Sequence, residues 1–285
     1  MCIGTLIWLF LLQICGDIRM RILSFLTDFG TTSGYIAQMK AVALSITQPI
    51  QFVDISHSIP AQNIHTGAFV LQTTAPFFPR GTVHVAVVDP SVGSNRKALV
   101  IITKSQILIG PDNGLLLPTA HRLGDFVVYE IANDSLYHHP ISATFHGRDI
   151  FTPVAAHILK GLPFNQIGPK CTEYVDFRFP EPKNDGGSIH GVVLYVDDFG
   201  NIITNITKDM LITKSYQDKE IMVVIKGKVI NVPLVHSYDS GEKGSLLALF
   251  GSQGFLEFSI NQGNAAYYLN VSQGAEFLLR RTSEQ

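Results

Sequence analysis

Three short stretches carry residues whose types and spacing can do chemistry. In VVDPSVGSNRK, Val87 to Lys97, Asp89 ends an apolar run and Arg96 follows across a Pro/Gly turn. Such a turn can fold the guanidinium back onto the carboxylate, which keeps Asp89 ionised and holds Arg96 in one orientation. The same spacing also suits a structural turn carrying a surface ion pair, which is worth little. In ATFHGRDIFTPVAAH, Ala143 to His157, the side chains of His146, Arg148 and Asp149 fall in a loop at the start of a helix. A helix entrance favours the neutral imidazole, which suits a base or a hydrogen-bond donor. The alternative is that Asp149 caps the helix and His146 is an ordinary loop residue. In LTDFGTTSGY, Leu26 to Tyr35, Asp28 ends a strand with Gly30 and Gly34 behind it. A strand-end Asp can accept two hydrogen bonds from a ribose diol, or it can cap the next helix.

The Asp-Phe-Gly of this last stretch is also the magnesium tripeptide of protein kinases. A kinase needs a Gly-rich loop, a strand lysine and an H-R-D loop ahead of it, and 27 residues leave no room for them. Neither the P-loop nor the G-x-G-x-x-G pattern is present. The histidines show no H-x-H or H-E-x-x-H spacing, so no catalytic metal site is expected. A second Asp-Phe-Gly lies in VDDFGNIITNI, Val196 to Ile206. Its Asn201 can read an amino acid's polar end or an adenine edge, or the stretch is a hairpin turn. GPDNGLLLP is explained by turn chemistry alone, and FGSQGFLEF is a Gly-flanked turn whose backbone can approach a ligand.

These residues need elements to hold them. From residue 21 to 170, short apolar strands alternate with helical patterns: ILSFLTD, a helix with Tyr35, Met39, Val42 and Ile46 on its apolar stripe and a Thr or Ser cap, the buried-type strand IQFVDIS, a helix through Ile64, Ala68 and Leu71, GTVHVAVVD, ALVIIT, QILIG, FVVYEI and a closing helix in DIFTPVAAHILKGL. This alternation predicts an α/β domain with a mainly parallel sheet flanked by helices. In such sheets ligands bind beyond the carboxyl ends of the strands, and three strands end in Asp: Asp28, Asp54 and Asp89. Residues 171–187 read as a linker, and 188–285 as a smaller, all-β, barrel-like domain of strands separated by Gly, Asn and Asp turns.

The totals agree with a packed two-domain protein. The chain has 285 residues, 46% hydrophobic and 15% charged, with net charge −2. Without a basic excess, nucleic acid is not an expected partner. Three well-separated cysteines suggest neither a disulfide framework nor zinc, and fit a reducing, cytoplasmic setting. The apolar run within residues 1–19 is short for a membrane span and lacks a signal-peptide charge and cleavage site. It is read as an extension ahead of a true start at Met20, with a signal or anchor segment as the alternative.

Taken in order, T-D-F-G-x-x-x-x-Y, D-I-S-H-x-I, V-D-P-x-V-G-x-x-R, P-D-N-G, T-F-H-G-R-D, V-D-x-F-G-N-x-x-T-N and G-S-x-G run from Thr27 to Gly254. This series closely resembles the S-adenosylmethionine hydroxide adenosyltransferases, relatives of the fluorinases and chlorinases. The resemblance implies an α/β domain followed by a barrel-like β domain, and a homotrimer whose substrate sits between neighbouring subunits. It implies that S-adenosyl-L-methionine is split by water at C5′ into adenosine and L-methionine, with no cofactor, because S-adenosyl-L-methionine is the substrate. The family's catalytic set falls on Asp89, Arg96 and His146. The halogenases carry Tyr in place of the Asp and the His, and a halide-contacting Ser at Gly147. Asp28 is implied at the ribose, with Gln62 in place of a halogenase Trp. Asp197, Asn201 and Ser252 are implied at the methionine end, and Tyr238 against the adenine. Gln253 stands where the fluorinase has Arg. A halogenase of the same fold, or a non-catalytic sensor of S-adenosylmethionine or adenosine, are the alternatives.

Overall fold

The computed structural model describes residues 21–212 and 220–280. The reading of residues 1–19 therefore lies outside the described residues. The chain divides into two compact units, one running to Asp176 and one from Phe177.

The first unit is built on a six-stranded sheet ordered β2–β1–β3–β5–β4–β6. Its strands are β1 (Ile22–Thr27), β2 (Gln51–Ser56), β3 (Val83–Val87), β4 (Ala98–Thr103), β5 (Ile107–Pro111) and β6 (Phe126–Glu130). The pairs from β2 to β5 are parallel, whereas β4 joins β5 and β6 antiparallel. The sheet is thus mixed, with its parallel part where the strand-end aspartates stand. β1 is buried along its whole length, as a central parallel strand should be. β2 is an edge strand and only partly buried, contrary to the buried strand expected from its apolar run.

The helices α1 (Tyr35–Ile46), α2 (Ile64–Thr74), α3 (Leu117–Leu123) and α4 (Thr152–Lys160) complete this unit. α2 starts as its sequence predicts: the Asn63 side chain accepts the Thr66 N–H and satisfies one open donor of the first turn. α1 departs from expectation twice. Gly34 stands at its start without a side-chain cap, and the buried stripe is Ile36, Met39, Val42 and Ala43, which turns Tyr35 outward. The core joins Leu23, Phe25, Met39, Val85, Val100, Ile109, Phe151 and Val154. Each such fully buried side chain contributes roughly 1.5–3 kcal/mol. Inside this sheet His84 is fully buried with Ser24 and Gln106.

The second unit is an eight-stranded antiparallel sheet. Its main path is β11 (Lys228–Pro233), β10 (Glu220–Ile225), β14 (Glu276–Arg280), β8 (Ser188–Val196), β9 (Ile202–Thr207), β13 (Phe255–Ile260) and β12 (Leu246–Phe250), while β7 (Lys183–Asn184) pairs beside β8. The two ends of the path approach each other. Leu234 bridges Ala248, and the Val235 N–H donates to the Ala248 carbonyl, so the sheet curls into a near-barrel. Its interior is filled by Ile189, Val193, Ile202, Val223, Phe258 and Leu279, with α5 (Lys208–Ile212) and α6 (Ala265–Leu269) added outside the ladder. Among the described residues, no helix is long and apolar enough to cross a membrane.

Candidate active site

The turn after β3 brings Asp89 and Arg96 together. Arg96 Nε lies 3.1 and 2.9 Å from the two Asp89 carboxylate oxygens, and Nη2 lies 2.5 Å from Oδ2. The side chains are 3% and 8% exposed, so this is no surface ion pair. A buried fork of this kind is held by charge-assisted hydrogen bonds and fixes the guanidinium plane. Phe151 lies under that plane, 5.2 Å from the guanidinium carbon, and Ser91 donates to Asp89 Oδ1.

The P-D-N-G motif braces both feet of this turn, which sequence reasoning missed by ascribing it to local turn chemistry. Asn113 Nδ2 donates to the Val88 carbonyl, just before Asp89, and the Asp112 N–H donates to the Lys97 carbonyl, just after Arg96. At the tip stands Gly93, with φ +80°. A Cβ there would lie 2.4 Å from the Ala143 carbonyl oxygen. Only glycine lets the Asp89–Arg96 turn and the loop leading to His146 approach so closely.

That approach puts His146 Nδ1 2.9 Å from Arg96 Nη2. A guanidinium only donates, so Nδ1 is the acceptor and the ring proton sits on Nε2. Burial pushes the His146 pKa down, and the Arg96 charge pushes it further, against pulls from Asp89 and Asp149. The neutral imidazole is therefore favoured, and its Nε2–H has no protein acceptor among the described residues. His146 opens a π-helical turn, Gly147–Phe151, that runs into α4. Asp149 does not cap this helix. It is fully buried within the turn, where it takes Arg148 on both oxygens and the Ser142 N–H on one.

Asp28 lies beyond the end of β1, and its Oδ2 accepts the Gln62 backbone N–H at 2.8 Å. Gln62 adopts a left-handed φ of +64° to present that N–H. The carboxylate is thereby oriented while Oδ1 has no partner among the described residues. His57 secures the same turn, a role its sequence context did not reveal. Its carbonyl accepts the Gly30 N–H at 2.8 Å, and Nδ1 lies 2.9 Å from Thr27 Oγ1, which accepts the Phe29 N–H. On its other side Nε2 is 3.2 Å from Asp54 Oδ1, without hydrogen-bond geometry. Burial acts to raise the Asp54 pKa, but the Lys40 ammonium at 2.6 Å and the His57 ring together outweigh it and hold that carboxyl below its usual value. Asp54 thus lies within β2 rather than at its end as its sequence suggested, and serves the framework.

The other expected residues lie in the second unit. Asp197 and Asn201 bracket the β8–β9 turn: Asp197 Oδ1 accepts the Phe199 and Asn201 N–H groups, and Oδ2 accepts Asn201 Nδ2 at 2.8 Å. They line a cleft of about 650 Å³ with Phe199, Tyr238, Gln262 and Asn264. Tyr238 donates to Glu257 Oε2 at 2.9 Å. Burial and then the Tyr238 hydrogen bond pull the Glu257 carboxyl in opposite directions, and burial wins, so its pKa is raised. Glu257 had no sequence signal, because it occupies a strand position that reads as apolar. Ser252 is exposed in the β12–β13 turn and is not among the side chains lining the cleft. Gln253 beside it keeps a buried, unpartnered Oε1. Among the described residues no three His, Cys, Asp or Glu side chains gather into a metal-binding group.

Known proteins resemble this chain along most of its length. Residues 23–168 match the SAM hydroxide adenosyltransferase N-terminal domain, and residues 191–278 match the C-terminal domain. The (R)-S-adenosyl-L-methionine hydrolase of Methanocaldococcus jannaschii is 42% identical over 263 residues, covering 90% of this chain and 94% of that protein. The hydrolase of the same name from Salinispora arenicola is 36% identical, covering 88% of this chain and 95% of the relative. A fluorinase from Actinoplanes sp. is more distant, at 28% identity over 89% of this chain and 95% of the enzyme. The crystal structure of a conserved protein from Thermotoga maritima superimposes with a TM-score of 0.86 at 36% identity, over 91% of this chain and all of that one. The chain belongs to the SAM hydroxide adenosyltransferase family.

Proposed function

We propose that this chain hydrolyses S-adenosyl-L-methionine by attack of water at C5′, releasing adenosine, L-methionine and a proton. The observation that carries the reading is the Asp89–Arg96–His146 set, a buried carboxylate–guanidinium pair with a half-buried neutral imidazole on the donor-only guanidinium. C5′ is already activated, because the leaving group is a neutral thioether. What the protein must supply is a desolvated water aimed opposite the C5′–sulfur bond, and alignment of that kind provides much of the acceleration. In this mechanism the His146 Nε2–H donates to one lone pair of the water and leaves the other facing C5′. Asp89 is the carboxylate that draws off a water proton as the C–O bond forms. Arg96 keeps the two in register. The leaving electron pair goes to sulfur, so no cofactor is needed.

Asp28, with its open Oδ1, takes the ribose hydroxyls beside Gln62. Asp197, Asn201 and Ser252 take the methionine end, and Tyr238 the adenine. We assign the active form to a homotrimer in which these second-unit residues of one copy meet the first unit of a neighbour. Exposed aromatics support that assembly: Phe199 is 79% exposed and Tyr267 88%, on segments joined by the Ala266 N–H to Gly200 carbonyl bond. Large apolar side chains left out on a surface mark contact sites. A reducing cytoplasm is the setting that suits the free thiol of Cys171.

The test is incubation of purified protein with S-adenosyl-L-methionine in ¹⁸O-labelled water, with chloride and fluoride varied. Equal amounts of L-methionine and of adenosine labelled at its 5′-oxygen are expected. Ligand binding without adenosine release would make the chain a sensor, and a halide-dependent 5′-halo-nucleoside would make it a halogenase. Either result overturns the reading.

A further inference from the structure

Tyr35 is a large aromatic side chain on a helix that packs against the core, yet it faces outward with 48% of its surface exposed. It is not a loose surface residue. Its ring meets Phe29 at a centroid distance of 6.0 Å and an interplanar angle of 69°, and Phe145 at 5.2 Å and 75°. Those two rings meet each other at 5.9 Å and 74°, so the three form a closed set of edge contacts. Phe29 follows Asp28 in the chain, and Phe145 precedes His146. Tyr35 is therefore packed on the two rings that adjoin, in the chain, the carboxylate proposed for the ribose and the imidazole proposed for the water.

The three rings differ in what remains open to a ligand. Phe145 is buried and already has the Arg148 guanidinium at 5.0 Å, while Phe29 packs into the core. Tyr35 alone keeps a half-exposed ring, and its hydroxyl takes no hydrogen bond among the described residues. A rigid aromatic ring with an open surface suits a desolvated cation. The only cationic atom of S-adenosyl-L-methionine close to both the ribose and the attacked carbon is its sulfonium sulfur.

We propose that Tyr35 is a specificity-determining residue whose ring receives the substrate sulfonium by a cation–π contact and so selects the cation over neutral thioethers. This rests on the hydrolase reading above. The contact weakens as the C5′–sulfur bond breaks, because sulfur becomes neutral. It therefore favours binding of the sulfonium and release of methionine more than it favours the chemical step.

The test compares Tyr35→Leu and Tyr35→Phe by steady-state kinetics, and by calorimetric binding of S-adenosyl-L-methionine against its demethylated thioether, S-adenosylhomocysteine. Tyr35→Leu should raise KM and the substrate's dissociation constant about 10-fold, within the range of such contacts, with kcat unchanged or higher. Thioether affinity should move by less than about twofold, while Tyr35→Phe, which keeps the ring, stays near wild type throughout. Equal losses for sulfonium and thioether would overturn the proposal in favour of a shape role. So would no loss at all, or a Tyr35→Phe variant as weak as Tyr35→Leu. If the wild-type protein turns nothing over, the hydrolase reading fails, and the binding comparison still decides whether the ring selects the sulfonium.

Discussion

Lowering the pH from 8 to 5 should cost this protein stability, and His84 is the largest single contributor, ahead of His146 and His157, whose pKa values burial lowers as well. The His84 ring lies in the middle of the first sheet. Nε2 is 3.2 Å from Gln106 Oε1, and Nδ1 is 2.6 Å from Ser24 Oγ. Gln106 spends its amide N–H groups on the Ala75 and Phe78 carbonyls, so its oxygen accepts from Nε2–H and Nδ1 accepts from Ser24. That tautomer satisfies the network with a neutral ring. Burial then pushes the pKa from 6.5 down to about 4, against a smaller upward pull from Gln106. Between those values the unfolded chain binds the proton and the folded one does not. Stability is thus full above about pH 6.5 and falls as the pH drops toward 4. Integrating the two titrations gives a loss of about 2 kcal/mol at pH 5 and about 3 kcal/mol once both forms are protonated. The assay is urea unfolding followed by circular dichroism at several pH values and one fixed protein concentration, on wild type and His84→Gln. The variant starts lower, yet it should lose about 2 kcal/mol less than wild type between pH 8 and 5. Parallel pH profiles, or an NMR titration of His84 with a midpoint near 6.5, would refute the argument.

Three further outcomes are expected. Asp89→Asn and His146→Ala should each cut turnover by about 10²-fold or more while binding of S-adenosyl-L-methionine persists, and wild-type rates in either would remove the proposed mechanism. The acid limb of kcat should lie below pH 6.5, because burial and Arg96 lower the His146 pKa and the neutral ring is the working form; a limb above pH 6.5 contradicts this. Gly93→Ala should lower stability by about 1–3 kcal/mol and depress kcat, since its Cβ would meet the Ala143 carbonyl and push the Arg96 turn away from His146; unchanged activity with an unchanged unfolding midpoint would show that the two loops tolerate separation.

Much of the arrangement is legible in the sequence. Apolar runs that stop at Asp28 and Asp89 announce strands, and the Pro/Gly turn before Arg96 announces a fold-back, because both are local consequences of backbone preference. The phase of α1 was not legible. Tyr35 and Ile36 both suit an apolar stripe, and only the tertiary contact with Phe29 and Phe145 decides which turns outward. The edge position of β2 and the antiparallel half of the first sheet are likewise settled by strand order, which period-2 patterning does not encode. Asn113 and His57 read as turn and loop residues because their partners, the Val88 and Gly30 backbones, lie 25 and 27 positions away. The π-helical turn at Gly147 contains a buried Asp149, whose partner Ser142 lies in the loop before the helix, where periodicity carries no signal.

The curled second sheet has a consequence for how copies of this chain can meet. An open sheet offers its outermost strands as templates for further strands, and assemblies often grow that way. Here the two outermost strands, β11 and β12, are joined just past the end of β11, where Leu234 bridges Ala248 and the Val235 N–H donates to the Ala248 carbonyl, and β11 carries Lys228 and Pro233 at its two ends. Part of the ladder edge is thereby closed to another chain, and a charge and a proline flank the rest. The homotrimer proposed above would then have to form through side-chain surfaces rather than by open-ended strand addition, and such surfaces can close into a ring of fixed size.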